Sequence, residues 1–470
     1  MIDQSIRGHL RALEAAGELI RIRREVDPDE NLSALSFQAL AGLGKACLFE
    51  SIRAAPQWQV ASQIVADRRK WGVALGVAEQ DVVARFTERV RATVAPVLVD
   101  RTDAPVKEVI QTGDGVDLRQ IPAMWTSEQD PARYIASGMC IIKDPDTGIR
   151  NVSVHRAQVY DRASTGYYML PRQAMRIQRM YGDRGKAMPA AMVIGGHPLI
   201  MFASGFVAPF GVDELAIAGS LLGEPVRLVR CEAVDIEVPA EAEIVLEGEI
   251  APGDIAAEGP FGEVTGTYSK RGDSPVFRVK ALSRRRNPIF YAMTCGQPPS
   301  DAHSITCATV EVRLAEHLRN VDGGMLDIRD IRCIGAMSPL MVALRIEQRY
   351  PGQARTALMA AASSPYLHPK FLVAVDGDID ISEPGELLWA LGMRLDPAAG
   401  LTKIDRTRVF SLDNASPLDP GKAWSQRVGT KMLIDATRPF GLPPSQHDSL
   451  ARTFPPGFEG VRLTDLVGSE

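Results

Sequence analysis

Apolar residues at Ile6, Leu10, Leu13 and Ala16 recur near helical spacing, which predicts a helix over 5–18. From Leu19 to Val26 apolar and charged positions alternate, the pattern of a strand. Ser33 can cap a helix through about residue 43. Short strands at 46–50 and 58–63 and a helix at 78–93 follow, so residues 1–105 read as one α/β unit. The segment TDAPVKEVI closes it as a linker.

From 106 to 310 short β-type runs alternate with Gly/Pro/Asp turns, among them ASGMCIIK, NVSVHRAQVYD, AAMVIGGHPLIMFA, AEIVLEGEI and PVFRVKALSRR. KDPDTG lies between two of these runs and signals a hairpin. Helices are expected near 171–183 and 212–222. Many short strands with few helices predict a barrel-like β domain with helical insertions. Residues 311–470 alternate again: a helix in TCATVEVRLAEHLRNV, a strand in MVALRIE, a helix in GQARTALMAAASS, a buried strand in KFLVAVDGDID and a helix opened by Pro in PGELLWALGMRL. This third unit is a second α/β region, and its last thirty residues read as an extended tail.

Composition narrows the function classes. The chain has 470 residues, long enough for two to four domains. Its 45% hydrophobic and 24% charged residues are ordinary for a globular protein. A formal net charge of -5 argues against a broad nucleic-acid surface, while leaving room for a local basic pocket. No segment has the apolar length of a membrane span, and the N-terminus has no signal-peptide core. The six cysteines are scattered without a CxxC pair, which points to small buried hydrophobes in a reducing cytoplasm.

Three stretches carry candidate chemistry. In Glu258-Gly-Pro-Phe-Gly-Glu263 two carboxylates flank a turn whose glycines let backbone approach a ligand. Carboxylates held close split their proton affinities, so one can carry a proton at neutral pH. In Asn151-Val-Ser-Val-His-Arg156 the arginine can fork a carboxylate, the asparagine can offer an oxygen to a cation, and His155 reads as structural. In KFLVAVDGDID the alternating aspartates lack the later Gly and Glu of a calcium loop, while Lys370 is placed for a phosphate. GxGxxG after a strand, Walker, HExxH and GxSxG patterns are all missing. The residues alone therefore leave an acid/base enzyme or a ligand-binding protein.

These stretches, in this order, resemble the UbiD family of reversible decarboxylases. YIASGMCIIKDPDTGIRNVSVHR is similar to its strand pair and Asn-x-x-x-x-Arg motif, EGPFGEVTGTYS to its two-glutamate motif, and KFLVAVDGDID with KMLIDATRP to its C-terminal strand and tail. The likeness runs over about residues 5–440.

The resemblance implies a flavin-reductase-like split β-barrel between two α/β regions, with the C-terminal one building a homodimer or homohexamer. It implies prenylated FMN from a separate flavin prenyltransferase, with the phosphate held through a divalent metal, often Mn2+, and K+ nearby. Arg156, Glu258 and Glu263 would be the catalytic trio, with Glu263 the proton donor. Asn151 and Glu214 match metal ligands. The third ligand is usually a histidine just after a Pro, and Gln173 stands nearest that position here. Lys370 would reach the cofactor phosphate and His303 would face the substrate. Trp125 and Met201 are expected in the pocket wall. The function implied is non-oxidative decarboxylation of an aromatic, heteroaromatic or α,β-unsaturated acid. A non-catalytic subunit of a larger carboxylase complex is the alternative.

Overall fold

The first helix, α1 (Ile6–Ala15), starts where Ser5 accepts the Gly8 amide at 3.2 Å, and its Ile6, Leu10 and Leu13 are buried as their spacing demands. This is a computed structural model, describing residues 2–337, 339–417 and 427–461. Strand β1 (Leu19–Ile22) pairs parallel with β2 (Ala46–Phe49), which pairs antiparallel with β3 (Gln59–Ser62). Ser33 does not cap α2 (Leu32–Leu43). It lies inside the first turn, Asn31 holds the cap position, and the Ser33 hydroxyl donates to the Thr126 carbonyl at 2.9 Å. A hydroxyl with a distant carbonyl in reach ties two segments together instead of closing its own helix.

The middle region is built on an antiparallel hairpin of β4 (Tyr134–Lys143) and β5 (Arg150–Gln158), joined through the expected turn. Asp144 accepts the amides of Asp146 and Thr147 in that turn, the usual Asx geometry. Then come α3 (Gln173–Gly182), β6 (Met188–Ile194), α4 (Pro198–Gly205) and α5 (Glu214–Leu222). The chain continues through β7 (Ile244–Ile250), β8 (Ile255–Glu258) and β9 (Gly272–Arg284). The pairing runs β8-β9-β7-β6-β4-β5, with two short strands added on β9. The barrel-like closure expected of this region is not what the pairing describes: the path is open, ending at β8 and β5.

HPLIMFASG is helical where a β run was expected. Pro198 sits at the first helical position and His197 accepts the Leu199 amide at 3.2 Å, so the entry is capped. Every residue from Pro198 to Ser204 is buried, so the segment shows no helical period to read.

After β9, β10 (Ile289–Tyr291) leaves the middle sheet and pairs parallel with β3, completing the N-terminal sheet. One hydrophobic core accordingly runs from Ile6 to Val312. Helix α6 (Asp301–Leu318) passes from it into the C-terminal region. There β11 (Ile328–Cys333), β12 (Met341–Ile346), β13 (Phe371–Asp376), β14 (Leu401–Arg408) and β15 (Val428–Asp435) form a mixed sheet in the order β11-β12-β13-β15-β14. Helix α7 (Pro384–Met393) begins at the expected proline. The aspartates at and just after the end of β13 are ion-paired and not arranged as a calcium loop: Arg394 takes Asp376 at 2.9 Å and Asp378 at 2.6 Å. No helix among the described residues is long and apolar enough to cross a membrane.

Candidate active site

The hairpin and the β8–β9 connection bring together residues about a hundred positions apart in the chain. Strand β5 delivers Arg156, and Glu258 ends β8. Gly259 turns the chain with φ +81°, a conformation that favours glycine. Its amide donates to the Tyr134 hydroxyl at 3.2 Å and to Gln158 Oε1 at 3.1 Å. Three residues on, the Gly262 amide donates to Asp130 Oδ1 at 3.2 Å, and Asp130 Oδ2 accepts from Ser127 at 2.9 Å. Burial pushes Asp130 up to about 6 despite these bonds. The turn is thus tied down on both sides, and Glu263 follows directly.

The Arg156 guanidinium forks Glu258, with Nε and Nη2 each 2.9 Å from a carboxylate oxygen. Its Nη1 donates to Glu263, and Nη2 also reaches Ser269 Oγ at 3.3 Å. The Tyr168 ring lies 3.8 Å from its carbon on one side and the Phe261 ring 4.8 Å away. Arg156 is 8% exposed, Glu258 2% and Glu263 7%, so one positive charge faces two carboxyl groups almost out of water. Such a cluster holds its geometry firmly, because charge-assisted bonds strengthen where solvent is excluded.

A second group lies along the same strand. The Asn151 side-chain amide donates to Gln173 Oε1 and to Glu214 Oε1, both at 3.1 Å, and Glu214 Oε2 accepts the Val152 amide at 2.8 Å. Gln173 is fixed in turn by donating to the Ala208 carbonyl at 2.7 Å. Asn151 Oδ1 is buried without a partner, and burial pushes Glu214 up to about 8. An orphaned acceptor, a desolvated carboxylate and an amide oxygen make an all-oxygen set, which suits a hard divalent cation such as Mn2+ or Mg2+. The three residues picked from the sequence as ligands are brought together.

Both clusters open on one cavity of about 560 Å³, whose wall includes Arg156, Tyr168, Gln173, Glu214 and Glu263. His155 also reaches it, but both of its ring nitrogens are engaged, with Ser153 Oγ at 2.8 Å and the Tyr168 carbonyl at 2.7 Å, as a structural histidine requires. His303 is not in the wall; Ser300 Oγ holds its Nδ1 at 2.7 Å, while its helix neighbours Ala302 and Thr306 face the cavity. Lys370 pairs with Asp413 at 3.1 Å and also lies outside the wall. Trp125 and Met201 do not line it either. Asp130 and Tyr168, which no motif singled out, are part of the Arg156 surroundings. The wall of the same cavity also includes three basic residues: Arg172, His368 and Arg408. Only Arg172 had a sequence signal, as the neighbour of Gln173.

The chain matches the three domains of the 3-octaprenyl-4-hydroxybenzoate carboxy-lyase family: the N-terminal domain over residues 10–90, the Rift-related domain over 97–298 and the C-terminal domain over 303–436. A curated Synechocystis protein is 30% identical over 463 residues, covering 92% of this chain and 89% of the relative. Among solved structures, the UbiD-class enzyme HmfF of Pelotomaculum thermopropionicum in complex with FMN is 33% identical with a TM-score of 0.89, covering 98% of this chain and 100% of that one. An evolved dimeric form of HmfF is in complex with prFMN, at 32% identity and a TM-score of 0.86, covering 99% of this chain and 100% of that one. The vanillic acid decarboxylase of Sedimentibacter hydroxybenzoicus in its open form, with truncated ShVdcD, is 27% identical with a TM-score of 0.84 and 98% coverage of both chains.

Proposed function

This chain belongs to the UbiD family of carboxy-lyases, and we propose that it decarboxylates, reversibly and without oxidation, an aromatic, heteroaromatic or α,β-unsaturated acid with prenylated FMN. The observation that carries the reading is the Arg156 guanidinium, fixed between Glu258 and Glu263 at the wall of a cavity of about 560 Å³. HmfF in complex with prFMN and the vanillic acid decarboxylase, both alike in fold, support the cofactor and the substrate class.

Asn151, Gln173 and Glu214 would hold the cofactor phosphate through a divalent cation, Mn2+ with K+ beside it. Lys370 would join them by exchanging Asp413 for the phosphate. When bound, prenylated FMN supplies the electron sink for breaking the bond to the carboxylate. The other roles belong to the chain. Arg156 orients the acid by a two-pronged bond to its carboxylate, which needs the planar fork that Tyr168 and Phe261 keep from turning. Glu258 holds that fork in place. Glu263 gives a proton to the carbon that carbon dioxide leaves, and takes one in the reverse direction. Phe261 and the apolar walls keep water from competing for it.

A flavin prenyltransferase would supply the cofactor, and self-association as a homodimer or homohexamer through the C-terminal region is part of the proposal. Leu388 and Met393 on α7 stand 67% and 62% exposed, which supports a covered face there. The test is coexpression with the prenyltransferase, followed by a screen of aromatic and acrylic acids for carbon dioxide release. Flavin absorbance in the purified protein with release from at least one acid is expected. A protein that retains no flavin and releases nothing from the whole panel would sink the reading.

A further inference from the structure

Glu263 stands on the turn between β8 and β9, and a side chain on a turn is aimed only as well as the turn is held. Within the turn, the Glu263 amide donates to the Thr267 carbonyl and the Gly266 amide to the Glu263 carbonyl, both at 2.9 Å. The base is anchored in the middle region, by Gly262 on Asp130 and by the Phe261 amide on Ser269 Oγ at 3.1 Å. The returning arm is held from two sides. The Tyr268 hydroxyl accepts the Gln129 amide at 3.3 Å. From the C-terminal region, on the loop after β14, Asn414 Nδ2 donates to Thr267 Oγ1 at 3.0 Å and to the Tyr268 carbonyl at 3.4 Å. Thr267 so keeps its own proton for Thr265 Oγ1, 2.9 Å away.

The loop that offers Asn414 is itself braced. The neighbouring Asp413 carboxylate accepts Ser416 Oγ at 2.6 Å and the Ala415 amide at 3.2 Å, and pairs with Lys370 at 3.1 Å. Arg427 donates to the Asp413 carbonyl. Asn414 is thus a fixed donor set against Thr267, the residue whose carbonyl receives the Glu263 amide. We propose that Asn414 is a positioning residue for Glu263: by pinning Thr267 and Tyr268, the C-terminal region sets where an acid carried by the middle region delivers its proton. The inference rests on the reading of Glu263 as the proton donor. Asn414 does not line the cavity and acts only through the turn. A reacting group misplaced by about 1 Å can lose about a hundredfold in rate. Asn414 and Thr267 are both exposed, so water replaces part of what is lost, and the effect is that of one hydrogen bond, about three- to tenfold.

The test compares Asn414→Ala, Thr267→Val and Thr267→Ser with wild type. Amide hydrogen exchange of the full-length protein, followed by mass spectrometry, should show the segment 261–269 exchanging about threefold or more faster in Asn414→Ala, with an unchanged thermal midpoint. Turnover is then measured on flavin-loaded protein with vanillate, 3,4-dihydroxybenzoate, 2-furoate and cinnamate. Asn414→Ala and Thr267→Val should lower kcat by about three- to tenfold and leave KM and FMN affinity unchanged. Thr267→Ser, which keeps the hydroxyl, should match wild type. In a Glu263→Gln background, Asn414→Ala should cost nothing further, because the group it positions is gone. Unchanged exchange at 261–269 would overturn the proposal. So would an unchanged kcat, or a loss of the same size with and without Glu263, which would assign Asn414 to the fold alone. If wild type releases carbon dioxide from none of the four acids, the decarboxylase reading fails, and the exchange measurement still decides whether Asn414 holds the turn.

Discussion

Glu258 and Glu263 share one guanidinium but differ in what holds them. Glu258 takes two nitrogens of Arg156 and ends a strand, whereas Glu263 takes one and stands on a turn. The less constrained carboxyl is the one suited to move a proton. Glu263→Gln should therefore fold normally and lower turnover by about a hundredfold or more, the scale for a lost general acid. Turnover within a fewfold of wild type would transfer the role to Glu258. Asp130 offers a pH signature. Its carboxyl is raised by burial from 3.8 to about 6, so between these values the folded protein keeps a proton that the unfolded chain has lost. Raising the pH through that window removes stability, and Asp130→Asn lacks this slope. Urea midpoints at about pH 4 and about pH 7 should thus shift in favour of the variant as pH rises. An unchanged gap would place Asp130 in the ordinary carboxylate range. For the cation cradle, Gln173→His should tighten Mn2+ binding by adding a nitrogen ligand, measured by titrating metal into both proteins with FMN present. Equal affinities would mean that residue 173 is not a ligand. At this scale the site was legible where it is written as short motifs, in Arg156, Glu258 and Glu263, with Asn151, Glu214 and Gln173 placed by likeness. His368 and Arg408 were not, because they come from C-terminal segments that only folding against the middle region brings to the cavity.

At the scale of elements, periodicity located segments with one buried face and failed where burial is complete. Helix α1 and α7 were readable from their spacing and their opening residues, whereas α4 was not, being apolar all round. Bulges are likewise invisible in the sequence. Between Glu247 and Gly248 the register of β7 against β9 shifts, and a Cβ on Gly248 would come within 1.9 Å of the Arg278 carbonyl oxygen. That atom is backbone in a central strand and has little room to yield. Gly248→Ala should destabilise by about 1–3 kcal/mol, as overpacked sites do. Thermal unfolding followed by circular dichroism should show a fall of a few degrees. A midpoint equal to that of wild type would show that the two strands can separate at no cost.

At the scale of the whole molecule, alternation of patterns suggests divisions at 105 and 310 but says nothing of how the parts are sewn together. The core that joins the first two regions and the passage of α6 across residue 310 depend on long-range packing, which no local window contains. Assembly belongs to the same scale. If α7 meets another copy, Leu388→Glu should shift the mass seen by light scattering towards the monomer at micromolar concentration, because a charge would be buried without a partner. An unchanged mass would free this face from the interface.

The pairing of β10 with β3 also sets a clock. In the order of synthesis β10 follows β3 by about 230 residues. At roughly 5–20 residues per second this is about 10 to 45 s. Throughout that interval the growing chain carries a sheet with a bare edge, the kind of edge that recruits wrong strands. Polysomes bring many copies of that unfinished edge close together, so the yield of correctly made protein should depend on translation speed and on chaperones within reach of the ribosome.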